Sequence, residues 1–150
     1  MKRNETCGWS SAKLYKKMLT VEYGGIYLYE PPQTSESEQA ALLVSSGSEQ
    51  AGLRPYIIVS RDIVNKGKKT AVGVSMSTKI HKANSYRTLL PASEIIREIG
   101  CTYQFQDSVV LCDHVRVLDL DQIRYKIGRV SDTAIAGVVL LGLSFVFGIR

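Results

Sequence analysis

Short apolar runs separated by polar, turn-forming residues make up most of this chain, and their lengths predict β-strands. The runs are rich in β-branched and aromatic side chains, and turn signals such as Asn65 and Gly67 separate them. They lie at residues 26–29, 56–60, 70–76, 88–90 and 108–117. A series of strands this short predicts a small, curled antiparallel sheet.

Two short segments and one long one carry helix signals. Ser93 is a candidate N-cap for residues 94–99, with Gly100 beyond their end, and a second short helix is expected at residues 121–127. Ser131 is expected to cap the last helix. The predicted fold class is therefore α+β, with short helices beside the sheet and a long C-terminal helix.

The C-terminal segment is the most apolar part of the chain. Residues 134–149 are apolar except for Ser144, and they fall short of the roughly 20 residues that a membrane-spanning helix needs. A helix that is apolar on all faces is normally buried on all faces. We expect a core helix that also serves a subunit interface, in preference to a membrane anchor.

The chain length suits one domain with its own core. Residues 1–20 lack hydrophobic periodicity and are expected to be an N-terminal extension, which leaves residues 21–150 as a single domain. Residues 30–46 form a long polar connection, in which residues 37–42 are echoed by residues 48–53. We interpret the echo as a short tandem duplication that lengthened a loop.

Composition narrows the classes of function only a little. A net charge of +5 favours polyanionic partners. Three cysteines without a C-x-x-C pair, together with two histidines, predict neither a disulfide framework nor a metal site, and we expect reduced thiols. No apolar stretch follows the N-terminal basic residues, so we expect no secretory signal and a cytoplasmic protein. Because no cluster of residues has metal-ligand spacing, we expect no cofactor.

Arg54 is the first candidate for chemistry, because it ends a polar, glycine-punctuated loop and directly precedes Pro55 and a strand. A guanidinium offers a planar fork of donors to a phosphate and keeps its charge. Placed against a phosphate in RNA cleavage, such a cation would stabilise the charge that develops in the transition state. The alternative is a structural arginine paired with Glu49 or with a loop carbonyl.

Ser77 is the second candidate, at the predicted end of a strand. Its hydroxyl could donate to a phosphate oxygen or help to position the attacking group. A basic group follows it, comprising Lys79, His81, Lys82 and Arg87, with Tyr86 interleaved. Cations beside an aromatic ring are typical of a groove for single-stranded RNA. The alternative is a solvated basic loop.

The third candidate is His114, within the β-rich run at residues 107–116. Strand alternation would place Cys112, His114 and Arg116 on one face. An imidazole there could exchange a proton near neutral pH, although a half-buried structural histidine is the commoner case.

Several of these blocks together resemble the MazF/PemK toxins, the small ribonucleases of bacterial type II toxin–antitoxin pairs. The most specific are the string Gly-Ser-Glu-Gln-x-Gly-x-Arg-Pro at residues 47–55 and the Asp-Ser-Val…Cys-Asp…Val-Arg…Leu-Asp segment at residues 107–119. Residues 26–28, 77–83 and 127–132 match in the same order. The resemblance covers roughly residues 22–140.

The resemblance implies a fold, an activity and partners. It implies an SH3-like barrel, usually a homodimer, that cleaves single-stranded RNA at a short sequence, without metal, through attack of the 2′-hydroxyl to give a 2′,3′-cyclic phosphate. The family's catalytic residues fall on Arg54 and Ser77. Substrate-binding positions are expected at Glu49, Gln50, Lys79, His81, Lys82 and His114. An antitoxin with an acidic C-terminal segment would cover the RNA groove, and the complex could bind operator DNA.

Three departures from the family pattern keep alternatives open. Gly25 replaces a common acidic residue, His114 replaces a common glutamine, and the loop before residue 47 is longer by roughly a dozen residues. The chain could therefore be a catalytically silent relative that binds antitoxin or DNA, or a gyrase-directed toxin on the same fold. For an active ribonuclease, His114, Glu49 or water could accept the proton of the 2′-hydroxyl.

Overall fold

Seven strands form one antiparallel sheet in the computed structural model, which describes residues 20–31 and 52–149. The strands are β1 (Gly25–Tyr29), β2 (Arg54–Ile58), β3 (Thr70–Ser77), β4 (Arg87–Leu90), β5 (Ile95–Arg97), β6 (Ser108–Asp119) and β7 (Ile123–Val130). The predicted extension up to residue 19 and the predicted loop beyond residue 31 lie outside the described residues. The predicted α+β class, with a small antiparallel sheet, is confirmed.

The strand order β4-β6-β3-β2-β1-β7-β5 forces the sheet to curl. β4 and β5 are its two edges, and a flat sheet of this width would separate them by roughly 29 Å. Only residues 91–94 connect these two strands, and the chain from Leu90 to Ile95 spans at most about 18 Å. The sheet therefore bends towards a barrel, although its two edges are not hydrogen-bonded to each other within the described residues.

Helical structure is concentrated at the C-terminus. The helices are α1 (Asp62–Asn65), α2 (Asp132–Ala134), a π-helical segment (Ile135–Leu140) and α3 (Leu141–Phe147). We refer to residues 132–147 as the C-terminal helix. The Ser131 hydroxyl accepts a hydrogen bond from the Ala134 N–H at 3.1 Å, which confirms the predicted N-cap. Gly148, with φ of 65°, ends the helix in the left-handed conformation.

The two short predicted helices are wrong. Residues 94–99 instead contribute β5, which follows a 3-10 turn (Ala92–Glu94), and residues 121–127 contribute most of β7 after a second such turn (Leu120–Gln122). β5 pairs with β7, with Ile95 opposite Val130. β-Branched side chains suit this pairing, and the long-range ladder outweighs the local capping signals.

The sheet carries an apolar cluster on each face. The larger cluster lies beneath the C-terminal helix and includes Ile57, Val74 and Val139, all fully buried. The smaller cluster is rich in tyrosine, with Tyr27, Tyr29 and Tyr56 beside Leu118, Ile58, Ala71, Val21 and Ile123. The two clusters follow strand alternation, because neighbours such as Tyr56 and Ile57 point to opposite faces.

Close packing joins the C-terminal helix to the sheet at one point. A Cβ on Gly142 would lie 2.5 Å from the Sγ of Cys112, so only glycine fits there. Cys112 is a free, buried thiol whose pKa is raised, chiefly because burial disfavours the thiolate. Cys101, in contrast, is disulfide-bonded, so the expectation of reduced thiols is wrong for that residue.

Candidate active site

A cavity of about 510 Å³ opens where β2 begins and β3 ends. Its wall is formed by three parts of the chain: the start of β2, the end of β3 with the turn after it, and the segment that leads into β6. The polar side chains on this wall are those of Arg54, Ser75, Ser77, Thr78, Lys79, Tyr103, Gln104, Gln106 and Ser108.

Strand register explains why Arg54 and Ser77 meet at this cavity. Tyr56 of β2 lies opposite Ser75 of β3 in an antiparallel pair. Continuing that register by two residues sets Arg54 level with Ser77, on the same face of the sheet. Both residues line the cavity, so the structure brings the two predicted catalytic positions together.

Two buried tyrosines support the strand at Arg54. Tyr29 of β1 lies directly opposite Arg54, and Tyr56 follows Arg54 by two residues on the same face. The rings of Tyr29 and Tyr56 meet edge to face, with centroids 5.3 Å apart. Their packing holds the backbone of Arg54, the first residue of β2, in place at the cavity.

The Ser77 hydroxyl is oriented by the turn that follows β3. Its Oγ accepts a hydrogen bond from the backbone N–H of Lys79 at 3.2 Å. A hydroxyl that accepts from the backbone still has its own proton to donate. The same turn brings Lys79 to the cavity wall, so a hydroxyl, an ammonium and a guanidinium all border one space.

A second polar cluster lies beside the cavity, at an irregularity in β6. Val74 and Ser75 of β3 are adjacent, but their partners in β6 are Val115 and Leu111, so residues 112–114 are left out of the ladder. This irregularity breaks the predicted alternation: Cys112 is buried, whereas His114 is exposed. We call residues 112–114 the β6 bulge.

The carboxylate of the β6 bulge is held by an arginine from β4. Asp113 accepts hydrogen bonds from Nε and Nη2 of Arg87 at 2.7–3.2 Å, and Nε2 of His114 lies 3.7 Å from the same carboxylate. Burial of Asp113 is the largest single influence and acts to raise its pKa, but the hydrogen bonds from Arg87, a backbone hydrogen bond and the charges of His114 and Arg87 together give a net lowering of the pKa. Arg87 is therefore engaged by a partner within the sheet.

One further arginine lies on the tyrosine-rich face. Nη1 of Arg116 donates to the hydroxyl of Tyr56 at 3.4 Å. This hydrogen bond is the main reason why the pKa of Arg116 is raised. Through Tyr56, Arg116 is connected to the strand that carries Arg54.

The remaining predicted site residues either lie away from the cavity wall or fall outside the described residues. His81, Lys82 and His114 do not line the cavity: the first two lie on a 3-10 turn (Ile80–Lys82), and His114 belongs to the β6 bulge. Tyr86 stacks on Phe145 of the C-terminal helix, with centroids 6.1 Å apart. Glu49 and Gln50 lie outside the described residues.

Sequence reasoning missed one wall of the cavity. Tyr103, Gln104, Phe105 and Gln106 all line it, directly before β6. The sequence did contain a signal for this wall, because aromatic and amide side chains alternate in front of a predicted strand.

Over residues 20–31 and 52–149, no group of three or more His, Cys, Asp and Glu residues could hold a metal ion. No helix in the same part of the chain is long and apolar enough to cross a membrane.

Comparison with known proteins identifies the family. The family model described as "PemK-like, MazF-like toxin of type II toxin-antitoxin system" matches residues 24–140. Endoribonuclease MazF of Staphylococcus saprophyticus is 32% identical over 86 residues, which is 57% of this chain and 67% of that protein.

Solved structures agree with the fold. An endoribonuclease from Mycobacterial species superimposes with a TM-score of 0.61 at 16% identity, over 89% of this chain and 96% of that one. An endoribonuclease in complex with its cognate antitoxin, also from Mycobacterial species, gives a TM-score of 0.55 at 16% identity, over 89% and 98% of the two chains. Because the family model covers more than half of the sequence, this chain belongs to the PemK-like, MazF-like toxin family of type II toxin–antitoxin systems.

Proposed function

We propose that this chain is the endoribonuclease toxin of a toxin–antitoxin pair, and that it cleaves single-stranded RNA at specific sequences in the cavity at the end of β3. The carrying observation is that Arg54, Ser77 and Lys79 border one space of about 510 Å³. A cavity of this size accepts one nucleotide unit with its phosphate. The family to which the chain belongs and its similarity to a MazF endoribonuclease support the same activity.

The proposed reaction uses the neighbouring hydroxyl of the RNA itself. The 2′-oxygen attacks phosphorus, the bond from phosphorus to the 5′-oxygen breaks, and the leaving oxygen takes up a proton. The products are a 2′,3′-cyclic phosphate and a 5′-hydroxyl. Negative charge grows on the non-bridging oxygens during the attack, so a guanidinium from Arg54 and a hydroxyl proton from Ser77 stabilise the transition state more than the ground state.

The proton of the 2′-hydroxyl needs an acceptor other than Arg54, because arginine holds its own proton too tightly. The described residues that line the cavity include no carboxylate and no imidazole. His114 lies in the β6 bulge, against Asp113. This arrangement argues against His114 and leaves water or Glu49, which lies outside the described residues, as the proposed acceptor.

RNA is longer than the cavity, so we assign its outer contacts to charged residues nearby. Lys79 lines the cavity, and the turn that carries His81 and Lys82 follows it directly. These residues and His114 would contact backbone phosphates or bases on either side of the cleaved bond. Glu49 and Gln50, which lie outside the described residues and precede Arg54 by a few positions in the sequence, remain proposed substrate contacts.

The proposed protein partner is an antitoxin with an acidic C-terminal segment. The mycobacterial structure similar in fold is a complex of an endoribonuclease with its cognate antitoxin. A cavity bordered by Arg54 and Lys79, in a chain of net charge +5, favours an acidic peptide as the inhibitor. Binding of operator DNA would then be a property of the complex.

The proposed assembly is a homodimer that covers the outer face of the C-terminal helix. Leu141 and Phe145 are each about 60% exposed and lie one helical turn apart, so they form an apolar surface that a monomer would leave in water. We expect sedimentation analysis to give a dimer, and Phe145→Glu to give a monomer.

The test of the ribonuclease is cleavage of a long mixed-sequence RNA in EDTA by the wild type and by Arg54→Ala, with the cut ends mapped by primer extension. We expect discrete cuts by the wild type alone, with equal melting temperatures and equal sedimentation for the two proteins. Cleavage at equal rates by both proteins would contradict the role of Arg54. Intact RNA with both proteins would contradict the activity.

A further inference from the structure

The part of the cavity wall formed by residues 103–106 carries amides in place of cations. Along residues 102–106 the side chains alternate between exposed and half-buried. Tyr103 and Phe105 are the half-buried members and pack against the larger core cluster, whereas Gln104 and Gln106 are exposed. This alternation is that of an extended segment, so the two amides project to the same side.

This segment is fixed in position although it lies outside the strand ladder. At its start, the buried Cys101 donates its N–H to the carbonyl of Glu98 at 3.0 Å. At its end, the Asp107 carboxylate accepts the N–H of Ala92 at 2.8 Å. The rings of Tyr103 and Phe105 lie in contact, with centroids 5.0 Å apart. The two glutamines between these anchors are therefore presented on a rigid base.

The side-chain amides of Gln104 and Gln106 make few hydrogen bonds to the described part of the protein. Nε2 of Gln104 makes one long hydrogen bond, at 3.4 Å, to the carbonyl of Thr102. The backbone carbonyl of Gln106 accepts from the Ser108 hydroxyl at 2.9 Å, but no described residue bonds to its side-chain amide. Each amide offers a donor and an acceptor side by side, which is the pattern that matches a nucleobase edge.

We propose that Gln104 and Gln106 read the base that lies next to the scissile phosphate, and so set the sequence preference of the enzyme. This inference rests on the proposed ribonuclease function and adds the specificity determinant to it. With the phosphate against Arg54 and Ser77, the attached base would occupy the part of the same cavity that Gln104 and Gln106 line. Adenine is the best match, because its amino group and ring nitrogen pair with one amide in a bidentate contact.

The glutamines are positioned to discriminate between bases and not to drive the chemistry. They lie on a different segment of the cavity wall from Arg54 and Ser77, and a neutral amide carries no charge to stabilise the phosphate. Removing the amides should therefore change which bonds are cut more than it changes the total rate. A merely structural role would move the melting temperature and leave the base preference unchanged.

The test compares the wild type with Gln104→Met, Gln106→Met and the double variant. Methionine keeps the length of the side chain and removes its hydrogen bonds. Gln122→Met is the matched control, because Gln122 ends a turn that does not line the cavity. Each protein is incubated with the same mixed-sequence RNA, the cut ends are sequenced, and the base preference at each position around the cut is calculated.

We expect the double variant to lose about tenfold in preference at one position next to the cut, with total cleavage within about threefold of the wild type and an unchanged melting temperature. Gln122→Met should keep the wild-type preference. If the double variant unfolds, the single variants give the same readout. Unchanged preference at every position in folded variants would overturn the inference, and so would a uniform loss of rate without a change of preference.

Failure of the ribonuclease proposal is distinguishable from failure of this one. If the wild type cuts no RNA, binding of short RNAs that differ in one base is measured instead by fluorescence anisotropy. A base preference that the wild type shows and the double variant loses would support base reading by Gln104 and Gln106. Equal binding of all the RNAs by the wild type would overturn it.

Discussion

Two polar clusters lie side by side in this sheet, and they use arginine in different ways. In the β6 bulge, the fork of Arg87 is occupied by the Asp113 carboxylate at 2.7–3.2 Å. At the end of β3, Arg54 instead borders a space of about 510 Å³ together with a hydroxyl and an ammonium. Both arginines lie on strands of one sheet, so residue type and strand position do not separate the two roles. What separates them is that Arg54 lines the cavity whereas Arg87 does not.

The largest expected effect comes from exchanging arginine for lysine in each cluster. Arg54→Lys keeps the charge but loses the fork, and we expect RNA cleavage to fall by about 10²- to 10³-fold. Arg87→Lys should leave cleavage within about threefold of wild type, because its fork bonds Asp113. Initial rates on one RNA, with melting temperatures for both variants, measure the contrast.

Equal losses of activity in the two lysine variants would erase the distinction between the clusters. The melting temperatures identify the cause of such a result. A loss that accompanies unfolding would reflect stability, whereas a loss in a folded Arg87→Lys would place the β6 bulge in the reaction.

The next effect concerns the hydroxyl at the cavity. Ser77→Ala removes the proposed donor to the phosphate, and we expect cleavage to fall about 10- to 100-fold. Ser77→Thr keeps the hydroxyl and should stay within about fivefold of wild type. Single-turnover cleavage with excess protein separates this loss from weaker binding. Full activity in Ser77→Ala would remove the serine from the mechanism.

How far the sequence predicts this site depends on whether a signal is local. Arg54 and Ser77 could be placed together because one precedes a strand and the other ends the neighbouring strand, and antiparallel pairing brings such ends together. β5 was not predicted, since local capping signals favoured a helix whereas its partner, β7, lies some 30 residues further along the chain. Long-range pairing leaves little trace in a short window of sequence.

The β6 bulge shows a second limit. Strict alternation placed Cys112 and His114 on one face, but the ladder skips residues 112–114, so one became buried and the other exposed. An irregularity of this kind shifts the orientation of every side chain within it. The wall at Tyr103–Gln106 was missed for a related reason, because it is an ordered segment that belongs to no strand.

A smaller effect, on stability, is expected in the β6 bulge. Asp113→Asn removes the charged partner of Arg87 and should lower the free energy of unfolding by about 1 kcal/mol at pH 7. The pKa of Asp113 is lower in the folded state than in the unfolded state. The ionised carboxylate therefore contributes fully to the free energy of unfolding above the unfolded-state pKa of about 3.9, and this contribution is lost as the pH falls through the folded-state pKa. Urea unfolding of both proteins between pH 7 and pH 2 should show the difference shrinking below about pH 4. A constant difference would show that charge is not its source.

The smallest expected effect lies outside both clusters, at Lys82, on the turn that follows the cavity. If Lys82 contacts one RNA phosphate, Lys82→Gln should weaken binding about two- to threefold at 0.1 M salt and reduce the slope of log affinity against log salt by about 0.7. Lys68→Gln is the control, because Lys68 lies in the turn between α1 and β3, away from the cavity wall. Both variants should cut bound RNA at the wild-type rate, since a distant charge affects the encounter and not the reacting phosphate. An unchanged salt slope in Lys82→Gln would show that the RNA path ends at Lys79, inside the cavity.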